Sequence, residues 1–70
     1  AAAIPSDERL KTGIRRVGST DEGLPIYTYR YKAGGPTQMG VMAQDVAQMQ
    51  PHALGPIVHG FGSVRYSEVR

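Results

Sequence analysis

The 70-residue sequence contains no cysteine, so a disulfide scaffold is excluded. Its two histidines, His52 and His59, have no cysteine beside them and no tight spacing, which argues against a structural zinc site. No apolar run approaches the length of a membrane span. The opening "AAAI" is too short for a signal peptide and lacks its basic flank. The formal net charge is only +2. Arg15 and Arg16 are adjacent, but the other basic residues are scattered among acids, without the dense basic stripe of a nucleic-acid module. The reading is therefore no metal, no cofactor, no membrane and no nucleic acid. The lack of cysteine also fits a cytoplasmic origin. A chain of this size buries a modest fraction of its surface, and without disulfides or metal it needs partner subunits or a longer parent protein. The start at Ala1 and the end at Arg70 read as a piece of something larger.

What is present is a succession of short elements. Residues 1–5 read as a connector, with Pro5 biasing Ile4 toward extended backbone. Ser6 is placed to cap a short helix, with Asp7 and Glu8 at its positive end. Leu10 and Ile14, four apart, could face a core, and Gly13 would end the helix. Residues 15–23 are polar and read as a loop or short strand. "LPIYTYRYK" (24–32) then alternates, with Tyr27, Tyr29 and Tyr31 on one face. "AGGP" signals a turn, and residues 37–42 return as the second strand of a hairpin. Met42, Val46 and Met49 recur at helical spacing over 43–50, where Pro51 stops the helix. A short strand near Ile57–Val58, a tight turn at "HGFG" and a returning strand at "SVRY" suggest a second hairpin. Ser67 resembles the cap of a further helix. The expected fold is α+β, a small domain of two β-hairpins and short helices.

Taken together, "SDERLKTGI", "IYTYRYK", "GVMAQDV" and "HGFGSVRYSEV" resemble the C-terminal intramolecular chaperone domain of phage endosialidases, tailspikes and tail fibres, a module also found in a membrane-bound eukaryotic transcription factor. The resemblance runs from Ser6 to Val69, so residues 6–70 form the expected domain. It implies a homotrimer at the end of a fibrous protein of the virion, assembled in the host cytoplasm. There it aligns three chains and helps the upstream shaft segment fold. It also implies self-cleavage just before the serine of the "SD" motif, by a Ser–Lys dyad. Carried onto this chain, the dyad is Ser6 and Lys11 and the scissile bond is Pro5–Ser6. A long helix normally follows the "VRYS" segment. A proline before the nucleophile is a departure from the pattern.

The chemistry of that dyad makes definite demands. A serine hydroxyl needs a base within about 3 Å, and lysine serves only if burial or nearby cations lower its pKa. Arg9, Arg15 and Arg16 would favour neutral Lys11; Asp7 and Glu8 would oppose it. Backbone N–H groups of a helix starting at Ser6 would be a source of oxyanion donors. On a regular helix, however, positions five apart do not share a face. Ser6 and Lys11 meet only if Ser6 lies outside the helix and Lys11 curls back, or if Lys11 comes from a neighbouring subunit. The plainer reading is a capping serine and a solvated lysine. Other readings stay open. The domain could be a non-cleaving structural cap or attachment element retained in the virion. The tyrosine face could be a platform for host surface polysaccharide, or a core or subunit face. Gln44 would bond backbone and Asp45 would cap the central helix, or the pair could support catalysis. His52 and His59 read as loop residues, with a base for Ser6 as the alternative, and Arg15–Arg16 as a solvated or interchain pair.

Overall fold

The computed structural model describes residues 3–70. Among the described residues, five strands and one α-helix are joined by 3-10 turns: β1 (Ile4–Pro5), β2 (Lys11–Ser19), β3 (Pro25–Tyr31), β4 (Gln38–Gly40), α1 (Ala43–Met49) and β5 (Ser63–Val64). They form two antiparallel sheets, one ordered β2-β3-β4 and one pairing β1 with β5. The mixed α+β class is as expected.

β3 forms where the tyrosines alternate with β-favouring and polar residues, and it becomes the central strand of the larger sheet. It pairs with β4 through Thr28–Met39 and its neighbours, which is the expected hairpin. Its other edge holds β2, a nine-residue strand where a short helix followed by a loop or short strand was expected. Two facts explain the difference. The helical start after Ser6 is a single 3-10 turn, Glu8–Leu10, capped by Asp7 rather than Ser6. Gly13 does not end a helix. It sits within β2 at φ +62°, where the register with β3 shifts between Thr12 and Arg15, the position and conformation of a glycine β-bulge. Ile14 is correspondingly exposed instead of facing a core.

The second expected hairpin is present as isolated antiparallel bridges, Val58 with Phe61 and Leu54 with Val64, and a longer-range pairing is added to it. The "HGFG" turn is present, with His59 and Gly60 both at positive φ between the bridged residues Val58 and Phe61. Ser63 and Val64, however, pair with Pro5 and Ile4. The described end of the segment expected as a connector is therefore one strand of the smaller sheet. Ala1 and Ala2 lie outside the described residues. α1 ends before Pro51 as expected, and a 3-10 turn, Pro51–Ala53, follows. Its cap is Met42 with no side-chain bond, so Asp45 lies inside the first turn and does not cap it. The last 3-10 turn, Tyr66–Glu68, is capped by Arg65, not by Ser67.

The core gathers Leu24, Val41, Ala43, Val46, Ala53 and Val64, with Ile26, Leu54, Tyr66 and Val69 packed around it. Most of these side chains are small, so the apolar interior is limited. Some of the remaining interior is polar: Ser6, Asp7, Lys11, Gln50 and Ser63 are all buried. Gln50 ties down the C-terminal end, with its amide bonding both backbone groups of Arg70. Of the others, Ser6, Asp7 and Lys11 converge on one place.

Candidate active site

The 3-10 turn brings Ser6 and Lys11 together within one chain. Glu8–Leu10 reverses the backbone, and Lys11, the first residue of β2, points back toward Ser6. Its Nζ donates to Ser6 Oγ at 2.9 Å. The five-residue spacing that would separate the pair on an α-helix is thus no obstacle, and no neighbouring subunit is needed to supply the lysine.

The backbone of Val41 completes the pair's surroundings. Its carbonyl accepts from Lys11 Nζ at 3.0 Å and from Ser6 Oγ at 2.7 Å. Its N–H donates to the Tyr66 hydroxyl at 3.2 Å, and that hydroxyl lies 3.1 Å from Ser6 Oγ. Gly40 makes room for this arrangement. A Cβ there would lie 2.7 Å from the Tyr29 hydroxyl and still closer to that of Tyr66, a separation real atoms do not tolerate.

Lys11 is only 3% exposed. Burial lowers its pKa to about 8 from the ordinary 10.5, with the Asp7 charge acting in the opposite direction. The cause is desolvation, not the arginines to which the sequence pointed. The ammonium group is partly compensated by the face of Tyr29, whose ring centre is 3.8 Å from Nζ. Tyr29 is itself buried, which raises its own pKa and keeps its hydroxyl protonated. Its ring stands edge-on to Tyr31 at 5.5 Å. The tyrosine stripe is therefore not an open stacking platform: its middle ring lies under the lysine and is 4% exposed.

Asp7 is the second buried charge and does a different job. Its two oxygens accept five hydrogen bonds: from Arg9 N, Nε and a terminal guanidinium nitrogen, from Gln44 Nε2, and from Gly62 N. Arg9 holds its carboxyl far below the usual carboxylate range, aided by the backbone N–H groups and Gln44 against the cost of burial. The same guanidinium donates to Gly60 O at 2.7 Å. Gln44 returns a bond by accepting from Glu8 N at 3.0 Å, the backbone contact expected of it. Asp7, Arg9 and Gln44 thus fasten the turn after Ser6 to α1 and to the loop at residues 60–62. Ser6 N in turn donates to Gly62 O, and Ser6 O accepts from Ala43 N. The backbone of Ser6 is pinned at both its N–H and its carbonyl.

Neither histidine is among the partners of Ser6 Oγ. His52 Nε2 lies against Glu68 O at 3.0 Å, and His59 occupies the turn. Arg15 and Arg16 are exposed on β2. The sequence reading missed the clamp of Asp7 and Arg9, whose i, i+2 spacing suits a tight turn. It also missed Tyr66 and the Val41 carbonyl, which only the tertiary fold brings to Ser6.

This geometry coincides with a family match. The family model described as chaperone of endosialidase matches residues 6–55, and the chain belongs to that family. The match begins at Ser6, the serine of the buried pair, and includes Lys11, Gln44 and the Val41 backbone. Residues 56–70, with Tyr66, lie beyond it. No curated protein and no solved structure matches the chain. Membership supports a chaperone-type role.

Proposed function

We propose that this domain registers and helps fold the shaft of a trimeric tail-fibre or tailspike protein of the virion, and that it then severs itself at Pro5–Ser6. The observation that carries the self-cleavage is the buried 2.9 Å contact between Ser6 Oγ and a lysine whose pKa is about 8. Burying a lysine is costly even when hydrogen bonds and a ring face partly compensate it, and a base for Ser6 is a use that fits the cost.

The chemistry follows from the positions. Loss of one proton from Lys11 lets Ser6 Oγ donate to Nζ across the same contact, while Nζ still donates to Val41 O. Oγ then attacks the Pro5 carbonyl carbon through a five-membered ring, and its proton passes to Nζ. The carbonyl π pair moves to Pro5 O. Collapse breaks the Pro5–Ser6 C–N bond, and the Lys11 ammonium returns the proton to Ser6 N. The product is an ester of Pro5 on Ser6 Oγ. Water hydrolyses that ester to a Pro5 carboxylate and a free hydroxyl, beside the α-amine that the C–N cleavage left at Ser6.

Trimerisation is supported by the limited core and by the apolar side chains left exposed, among them Ile14 and Val17 on β2, Met39 on β4 and Ile57. The pairing of β1 with β5 attaches the upstream chain directly to the domain, so the order of the domain is imposed on whatever precedes it.

The test is intact-mass spectrometry of the freshly folded full chain beside Ser6→Ala. Cleavage yields a fragment whose first residue is Ser6 and which is missing from the variant. An uncut wild-type chain removes the peptidase reading and leaves a non-cleaving structural cap.

A further inference from the structure

We propose that Tyr31 is a third catalytic residue, the electrophilic donor that stabilises the oxyanion formed on Pro5. This rests on the self-cleavage reading above. Acyl transfer from Pro5 requires a hydrogen-bond donor aimed at the oxygen where negative charge develops. The 3-10 turn after Ser6 gives its first N–H groups to Gln44 and Asp7, and Ser6 N is committed to Gly62 O. The donor that does reach the oxygen is a side chain: the Tyr31 hydroxyl donates to Pro5 O at 2.8 Å.

Its placement follows from the sheet. Tyr31 is the direct cross-strand partner of Lys11 in the β2–β3 pairing. One rung of one hairpin therefore presents the base to Ser6 Oγ and the donor to Pro5 O, on two sides of the same peptide bond. The Tyr31 ring is held edge-on by Tyr29 at 5.5 Å, and Tyr29 is locked beneath Lys11. The orientation of the hydroxyl is thus built into the fold, and preorganised donors of this kind are the effective ones. As Oγ bonds to the Pro5 carbon, the π pair moves to Pro5 O and the Tyr31 O–H bond to it shortens without proton transfer. When the C–N bond breaks, the ester carbonyl returns to the same hydrogen bond.

Pro5 contributes to the design. It has no N–H, and its fixed φ narrows the conformations of the segment it ends, while the β1 pairing and the Tyr31 hydroxyl hold its carbonyl. The proline that departs from the family pattern is, on this view, compatible with a well-defined electrophile.

The test is the cleavage rate of Tyr31→Phe in the full chain, beside wild type and Ser6→Ala, each with a thermal melt. Loss of one oxyanion donor lowers such rates by about 10²–10³-fold, and the melting temperature stays near that of wild type. The rate's pH midpoint stays at that of Lys11, because the base is untouched. An unchanged rate in Tyr31→Phe, with wild type cutting and Ser6→Ala inert, overturns the role of Tyr31 and leaves the dyad standing. A wild-type chain that never cuts overturns both. Should Tyr31→Phe fail to fold, 3,5-difluorotyrosine at position 31 keeps the shape and makes the phenol more acidic. It then adds a falling limb to the pH profile above its own ionisation; a profile identical to wild type overturns the proposal.

Discussion

The two ends of β2 are built on opposite principles. Lys11 opens the strand at 3% exposure, and every residue from Thr12 to Ser19 is exposed. Along that exposed stretch the strand is bent by a pair of register shifts, and apolar Ile14 and Val17 stand in solvent. At the buried end a cation, a carboxylate and a serine hydroxyl fill space that a small domain would otherwise give to apolar side chains. The difference teaches where the molecule invests its interior. Desolvating Lys11 from 10.5 to about 8 costs on the order of 3 kcal/mol, a large share of the stability of a small domain. Under the proposed self-cleavage, that cost serves reactivity.

The sharpest way to break the comparison is to remove the reactive pair. Ser6→Ala and Lys11→Met each abolish cleavage, a loss of about 10⁶-fold for a nucleophile or its base. Lys11→Met also melts at or above the wild-type temperature, since an apolar isostere relieves the desolvation while Ser6 Oγ keeps Val41 O. A large loss of stability in Lys11→Met, read by thermal denaturation, would make the lysine structural.

Asp7→Ala sharpens the contrast between the two buried charges. It leaves Gly62 N, Gln44 Nε2 and the Arg9 backbone without their acceptor, and it destabilises by about 3 kcal/mol in chemical denaturation. Because the folded-state pKa of Asp7 is depressed, its contribution is fully present above the ordinary carboxylate pKa of about 4. It is lost as the pH falls below that value. Lys11 acts in a different window. The folded chain binds fewer protons than the unfolded one between about 8 and 10.5, so stability rises with pH across that window. In Lys11→Met the rise disappears.

A steric change at the site's rim comes next. Gly40→Ala drives a methyl against the hydroxyls of Tyr29 and Tyr66 and costs about 1–3 kcal/mol. The smallest effect lies at the exposed end of β2. Ile14→Ser changes the stability of the single chain by no more than about 0.5 kcal/mol, and light scattering reads any loss of self-association separately.

Legibility in the sequence divides along the same line. β3 and α1 were readable because their periods are local: alternating tyrosines in one, and Met42 with Val46 before Pro51 in the other. β2 was not, because a strand with one buried residue and two bulges carries no alternation. The β1–β5 pairing joins residues about sixty positions apart and has no local signature. For the site, the resemblance singled out Ser6 and Lys11, and the fold brings them into contact. The 3-10 turn that joins them, and the placement of Tyr31 and Tyr66, depend on tertiary structure. Tyr31 was visible only as one ring of a stripe, while its hydroxyl is what reaches Pro5.

The most direct measurement is the rate at which the folded chain produces a fragment beginning at Ser6, followed by intact mass between about pH 6 and pH 10. The account predicts a rate that climbs with pH and is half-maximal near the Lys11 pKa of about 8. A chain that stays whole throughout, or one cut at a rate indifferent to pH, would contradict it.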